Sequence, residues 1–280
     1  MVSGKRIPSK IQSIERAASL LRLVAAHSPA GTRLTDIARA ADLTKGTSHR
    51  ILAALVAEAL VDQDADSGLY FPGLALVGLG NAAGERFGLA RTALPAMRRL
   101  AEKTGDTIYF SVRSGNEAIC LQRVEGGFPI KTLTLNVGDR RPLGVGAGSL
   151  ALLAFLPDAD VDTIVSANSS ALPRFGERST GDLHAMVQEA RRLGYAYNNE
   201  RLIAGMSAVG VPVRNANGEP VAALSVAAIS ARMQADRRAV IVPWLEHEAR
   251  ALEAALGPVL SNPTALRGRR AAAHALTVSA

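Results

Sequence analysis

The chain has 280 residues, 48% of them hydrophobic and 20% charged, and a formal net charge of +7. That length suits one large domain or two ordinary ones at about 100–200 residues each, and the apolar content excludes wholesale disorder. A single cysteine, Cys120, excludes an internal disulfide framework and fits a reducing compartment, and the uncharged stretches 144–157 and 72–84 are shorter than the roughly 18 residues of a membrane span. Lys5, Arg6 and Lys10 are followed by no apolar run, so no secretory signal is visible and a cytoplasmic location is expected. The charge is unevenly spread. Residues 1–60 carry nine Lys/Arg against four Asp/Glu, residues 261–280 carry three Arg and no acid, and the middle of the chain is near neutral. A basic excess confined to the N-terminal block suggests an anionic partner there, nucleic acid above all; the plainer alternative is a solubilising surface.

Ser9-Lys10-Ile11-Gln12 reads as a capping box with Ser9 as N-cap. Ile11, Ile14, Ala18, Leu21 and Val24 then recur at helical spacing, and the helix stops near His27, before Ser28-Pro29-Ala30-Gly31. Leu34-Thr35-Asp36-Ile37 opens a short second helix, with Thr35 as its N-cap, ending near Ala41-Asp42. Leu43 points inward from a tight turn. Thr44 caps a third helix reaching about Leu60. Its inner face is Ile51, Leu52, Leu55, Val56 and Ala59; Lys45, Gly46, His49 and Arg50 lie opposite. A short helix, a turn and a helix with a basic first turn form a helix-turn-helix, and such a helix fits the major groove. A solvated helix face is the ordinary alternative for those charges. Strands at 60–63 and 69–71 around Asp64-Ala65-Asp66-Ser67-Gly68 add a wing, whose acidic tip predicts little direct phosphate contact.

Residues 74–87 are helix-compatible but contain Gly78, Gly80 and Gly84, at about 1 kcal/mol each in a helix interior, so a pliable or partner-held linker is expected. Residues 89–104 form a better helix, with Leu94, Met97 and Leu100 on one face; Pro95 is expected to kink or start it. Strands at 107–112 and 118–124 make a hairpin, 130–137 reads as a further strand, and 149–156, 183–193 and 235–256 read as helices. Strands at 206–214 and 221–229 flank the turn Asn215-Ala216-Asn217-Gly218. Antiparallel strands flanked by helices give an α+β domain. Gly144-Val145-Gly146-Ala147-Gly148-Ser149 lacks the Lys-Ser/Thr of a phosphate loop and reads as a loop opening a helix at Ser149, a start that favours a small carboxylate. The five histidines are scattered without metal-ligand spacing, no nucleophile elbow is present, and Cys120 sits in an apolar strand, so neither an enzyme nor a metal nor a cofactor is expected.

Three stretches in order, Ile11-Gln12-Ser13-Ile14-Glu15-Arg16-Ala17, Leu34-Thr35-Asp36-Ile37-Ala38 and Leu43-Thr44-Lys45-Gly46-Thr47-Ser48-His49-Arg50-Ile51-Leu52, resemble the IclR family of bacterial transcription regulators. The likeness continues through Arg141-Pro142-Leu143-Gly144 and through Gly205–Val213 with Ala222-Ala223-Leu224-Ser225-Val226, so it spans nearly the whole chain. It implies a winged helix-turn-helix domain at 1–73, a linker helix at 74–88 and a GAF-like α/β effector-binding domain at 89–262, with a basic tail at 263–280 that is either disordered or a second phosphate contact. It also implies a double-stranded DNA operator, a small-molecule effector and a homodimer or dimer of dimers (a homotetramer). The residues placed on DNA are Thr35, Lys45, Thr47, Ser48, His49 and Arg50; those placed on the effector are Gly146, Ala147, Gly148, Ser149, Asn198, Ala208, Ser225 and Ala227. The chain departs from the family at Asp42, where a turn glycine is usual, at Gly46 for a serine and at Ser48 for an inward valine. Members that bind small oxo-acids tend to carry Asp, Cys and Ser where this chain has Asn198, Ala208 and Ala227, which implies a less acidic, more apolar pocket. The expected function is a ligand-responsive regulator of a catabolic operon sensing an organic acid, aromatic or medium-sized. The alternative is an enzyme or small-molecule-binding α+β protein whose basic N-terminus is not DNA-specific.

Overall fold

The computed structural model describes residues 11–260 apart from 29 and 176–178. The chain divides into two compact units, Met1–Arg86 and Phe87–Ala280. The first begins with α1 (Gln12–Ala26), α2 (Leu34–Ala40) and α3 (Lys45–Ala57). The antiparallel ribbon β1 (Val61–Gln63) and β2 (Tyr70–Pro72) follows, then α4 (Ala75–Phe87). Leu20 and Val24 of α1, Ile37 of α2 and Leu52 and Leu55 of α3 close a core with Val61 and Tyr70 of the wing.

Several local expectations are corrected here. The residue before α1 is Ile11, with no side-chain cap, and the expected cap Ser9 lies outside the described residues. Thr35 is not an N-cap: α2 starts two residues earlier than such a cap implies, at Leu34 behind Arg33, and no side chain caps it. Thr44 does cap α3, its Oγ1 accepting from the Thr47 amide at 3.2 Å. That helix ends before Leu60, and Ala59, expected inside, is exposed with φ +52°. Asp42, at φ +53°, takes the left-handed conformation of a turn glycine itself, a geometry in which aspartate is among the tolerated residues. At the wing tip Asp64 Oδ1 accepts from the Ser67 amide (2.8 Å) and hydroxyl (2.6 Å), which lowers its pKa and keeps the tip acidic.

The second unit holds a six-stranded antiparallel sheet in the order β5-β4-β3-β8-β7-β6. Its elements are α5 (Leu89–Thr104), β3 (Thr107–Ser114), β4 (Glu117–Val124), β5 (Arg140–Pro142), α6 (Ala147–Ala154), α7 (Asp158–Asn168), α8 (Thr180–Leu193), β6 (Ala196–Asn199), β7 (Met206–Arg214), β8 (Pro220–Ile229) and α9 (Ala235–Leu260). Period-two alternation sorts the strand residues onto two faces. Ile108, Phe110 and Val112 of β3, Val209, Val211 and Val213 of β7 and Leu224 and Val226 of β8 pack in one core with α5 and α9. Two charge clusters pin that layer: Asp106 takes Arg232 at 2.9 Å and Arg237 at 2.6 Å, and buried Glu248 of α9 takes Arg99 of α5 at 2.6 Å. The other face lies under α6, with α8 packed on that helix and α7 on α8.

Residues 130–137, expected as a strand, join no ladder. Side chains take their backbone carbonyls instead: the Tyr109 hydroxyl donates to Thr132 O, Arg141 to Thr134 O and Arg123 to Leu135 O at 3.3 Å, while Thr132 Oγ1 donates to Ala227 O at 2.7 Å. The strand at that edge is the short β5. Pro95 lies inside α5 and does not start it. The helix α7 and the strand β6 had no counterpart in the sequence reading.

Candidate effector cavity and DNA-recognition helix

On α3 the first turns present Lys45, Gly46, His49 and Arg50 to solvent, spaced so that 45 and 49, and 46 and 50, stack on one side. No ion pair forms at Lys45 or Arg50 among the described residues, so their charge is free. Thr47 is half-exposed, its hydroxyl accepting from Thr44 Oγ1 at 2.9 Å. Exposed Thr35 stands in the first turn of α2. Ser48 is the exception. It is 0% exposed, its Oγ has no partner among the described residues, and it points into the core of the unit as the valine it replaces would. Its side chain therefore has no access to DNA, and the expectation that Ser48 is a contact is corrected.

In the second unit all eight expected effector residues line one cavity. Gly146 is the N-cap of α6 at φ +89°, and Ala147, Gly148 and Ser149 form its first turn. The helix can approach the sheet because Gly210 of β7 has no side chain: a Cβ there would stand 2.7 Å from Ala147 O. Gly148 likewise faces Ser225 of β8 and Ser111 of β3. Ladder pairing aligns Asn198, Ala208 and Ala227 across β6, β7 and β8. The space free of protein atoms among these residues is about 640 Å³, open solvent at the mouth included.

The structure separates the two adjacent arginines of β5. Arg140 turns outward onto Glu117 at 2.7 Å. Arg141 lines the cavity, its Nη1 lying near Gly146 and its Nη2 donating to Thr134 O. Burial lowers its pKa, yet a guanidinium stays charged, and no carboxylate pairs with it among the described residues. No Asp or Glu lines the cavity at all. Asp139 acts on Arg141 through space without an ion pair, and a buried guanidinium beside a helix start is chemistry that can receive an anion. Tyr109, Thr132, Thr134, Leu135, Leu202, Ile203 and Met206 also line it and were not foreseen; the first four come from β3 and the unpaired 130–137 segment, which the sequence places nowhere near residue 146. Ser149 Oγ is committed to Val145 O (2.5 Å) and Gly146 O (3.1 Å). No group of His, Cys, Asp or Glu suited to a metal occurs among the described residues.

Residues 13–65 match the profile of the IclR helix-turn-helix domain, and residues 82–254 that of the bacterial transcriptional regulator IclR C-terminal domain. The chain belongs to the IclR family. It is 30% identical over 251 residues to the HTH-type transcriptional regulator BhcR of Paracoccus denitrificans, covering 89% of this chain and 88% of that one. Its fold is similar to the IclR transcriptional regulator of Alicyclobacillus acidocaldarius, with a TM-score of 0.74 at 25% identity over 89% of this chain and all of that one. It is also similar to an IclR homologue of Microbacterium hydrocarbonoxydans complexed with 4-hydroxybenzoate, with a TM-score of 0.69 at 24% identity over 87% and 98% of the two chains. This IclR-family protein is a DNA-binding, ligand-responsive transcriptional regulator, its helix-turn-helix at the N-terminus and its effector-binding domain behind it. Among the described residues no helix is long and apolar enough to cross a membrane.

Proposed function

We propose that this regulator senses an aromatic or medium-sized organic carboxylate in the cytoplasm and adjusts transcription of a catabolic operon through an operator read by α3. The observation that carries the effector class is Arg141: a cation held in no ion pair, lining a cavity that has no acidic residue, beside the Gly146–Ser149 helix start. Apolar walls from Val145, Leu202, Met206 and Ala208 favour a ring over a short oxo-acid. The ligand in the Microbacterium homologue is an acid of that class. Arg50 and His49 are the base or phosphate contacts, Thr47 and Thr35 flank them, and Lys45 meets phosphate. The acting form is a homodimer or a dimer of dimers. Ile11 and Ile14 at the start of α1, Leu74 just before α4 and Val77 and Leu79 along it are exposed apolar side chains, Leu74 at 81%, that a second copy would cover. The domain limits are those drawn from the sequence, with the linker at 74–88; the tail at 263–280 lies outside the described residues.

One titration tests the reading. Duplex DNA selected for tight binding from a random pool is followed by fluorescence anisotropy at fixed salt, with and without aromatic and short-chain acids. Arg50→Ala is expected to weaken operator binding by about 1–3 kcal/mol. Arg141→Gln is expected to keep operator affinity and lose the response to the acid. Wild-type affinity in Arg50→Ala removes the DNA assignment; a response to pyruvate or glyoxylate with none to aromatic acids removes the effector assignment.

A further inference from the structure

Asn198 of β6 is 4% exposed and lines the cavity, and its Oδ1 is buried without a hydrogen-bond partner among the described residues. Buried acceptors are almost always satisfied, so an orphan inside a ligand cavity points to a donor that arrives with the ligand. We propose that the effector carries a hydroxyl at the end remote from its carboxylate, and that Asn198 selects it. The inference rests on the carboxylate reading above and adds the second pole of the ligand.

The placement of the two poles follows from the ladder. Arg141 stands on β5 and Asn198 on β6, the opposite edges of the sheet. The start of α6 spans the distance between them. Arg141 Nη1 lies near Gly146, and the carbonyl of the next residue, Ala147, lies against Gly210 of β7. Gly210 is two residues along β7 from Ala208, the direct partner of Asn198. Two residues along a strand and one strand spacing put Gly210 and Asn198 about 8 Å apart, so the start of α6 and the Asn198 amide border the same space. Ala208 and Ala227, which share the row with Asn198, are too small to fill that space and offer no polar atom beyond the backbone. A cationic donor is disfavoured because no acidic residue lines the cavity and Arg141 already supplies its positive charge. A neutral hydroxyl donates to the amide oxygen at no electrostatic cost. A site built around such a bond rejects the analogue that lacks it, because its own acceptor is then left bare.

The test is calorimetry on the full-length protein with benzoate, the three monohydroxybenzoates and the three matching methoxybenzoates, which keep the oxygen and lose the donor. At least one hydroxybenzoate is expected to bind tenfold or more tightly than both benzoate and its methoxy counterpart. In Asn198→Leu, which has the same branched shape and no acceptor, that hydroxybenzoate is expected to lose its advantage over benzoate and over its methoxy counterpart. The wild-type ligand series stands by itself if the variant does not fold. Equal binding of benzoate and every hydroxybenzoate, or a hydroxyl preference that survives in Asn198→Leu, overturns this inference and leaves the carboxylate reading intact. No binding of any acid in the series overturns both.

Discussion

The two faces of the central sheet are made by the same strands and differ in almost every physical respect. Toward α5 and α9, β3, β7 and β8 present Ile108, Phe110, Val112, Val209, Val211, Val213, Leu224 and Val226. Toward α6 the alternate positions are Ser111, Ala208, Gly210, Ser225 and Ala227, with Tyr109 at one side. Large branched side chains interdigitate and fill; small and polar ones hold a helix close while leaving an unfilled volume beside it. One face supplies stability and the other supplies a site, and a strand can encode both because its side chains alternate.

The comparison is broken most directly on the filled face. Phe110 is fully buried in the layer under α5 and α9. Phe110→Ala is expected to cost about 3–5 kcal/mol, the loss of an aromatic side chain plus the void it leaves, read from urea unfolding of the isolated chain. A cost below about 1 kcal/mol would mean that this face is not the packed one.

The opposite substitution probes the open face. Ala208 is half-buried and borders the cavity. Overpacking a filled core costs about 1–3 kcal/mol; Ala208→Leu enters unfilled space and is expected to change stability by less than about 1 kcal/mol while abolishing carboxylate binding in calorimetry. A large loss of stability, or retained binding, would erase the distinction between the faces.

Much of this contrast was legible in the sequence, and the limits have physical causes. The alternating or apolar β-branched runs at 107–112 and 118–124, the turn at 215–218 and the helical spacing in α1 and α3 mark their elements, because side-chain period and burial go together. The effector residues came from the likeness of the second half to its family, and the cavity gathers all eight. The segment 130–137 has the alternation of a strand, with Thr132 inside and Leu133 outside, but Tyr109, Arg123 and Arg141 take its carbonyls, and those partners are remote in sequence. Thr35 was read as a cap from residue type alone, while the helix starts with Leu34. The difference between adjacent Arg140 and Arg141 could not be read from composition: it depends on Glu117, which pairs across the β4–β5 ladder on the outer side. The orphaned oxygen of Asn198 is a property of the fold around it.

A last expected effect, confined to alkaline pH, concerns how dry the open face is around Cys120, which packs with Tyr109, Ala227, Leu135 and Ala208. Burial pushes its thiol from 9.0 up to about 11. The folded protein therefore holds this proton over a window, about pH 9 to 11, in which the unfolded chain releases it. Stability from this group is complete below pH 9 and declines as the pH rises toward 11, by at most about 1.4 kcal/mol per pH unit. Urea unfolding at pH 8, 9, 10 and 11 is expected to show a steeper loss in wild type than in Cys120→Ala, which carries no titrating group. Parallel pH profiles would mean that water reaches the thiol in the native state. The floor beside the cavity would then be wet, and the small residues of this face would be forming an open cleft in place of an enclosed receptor.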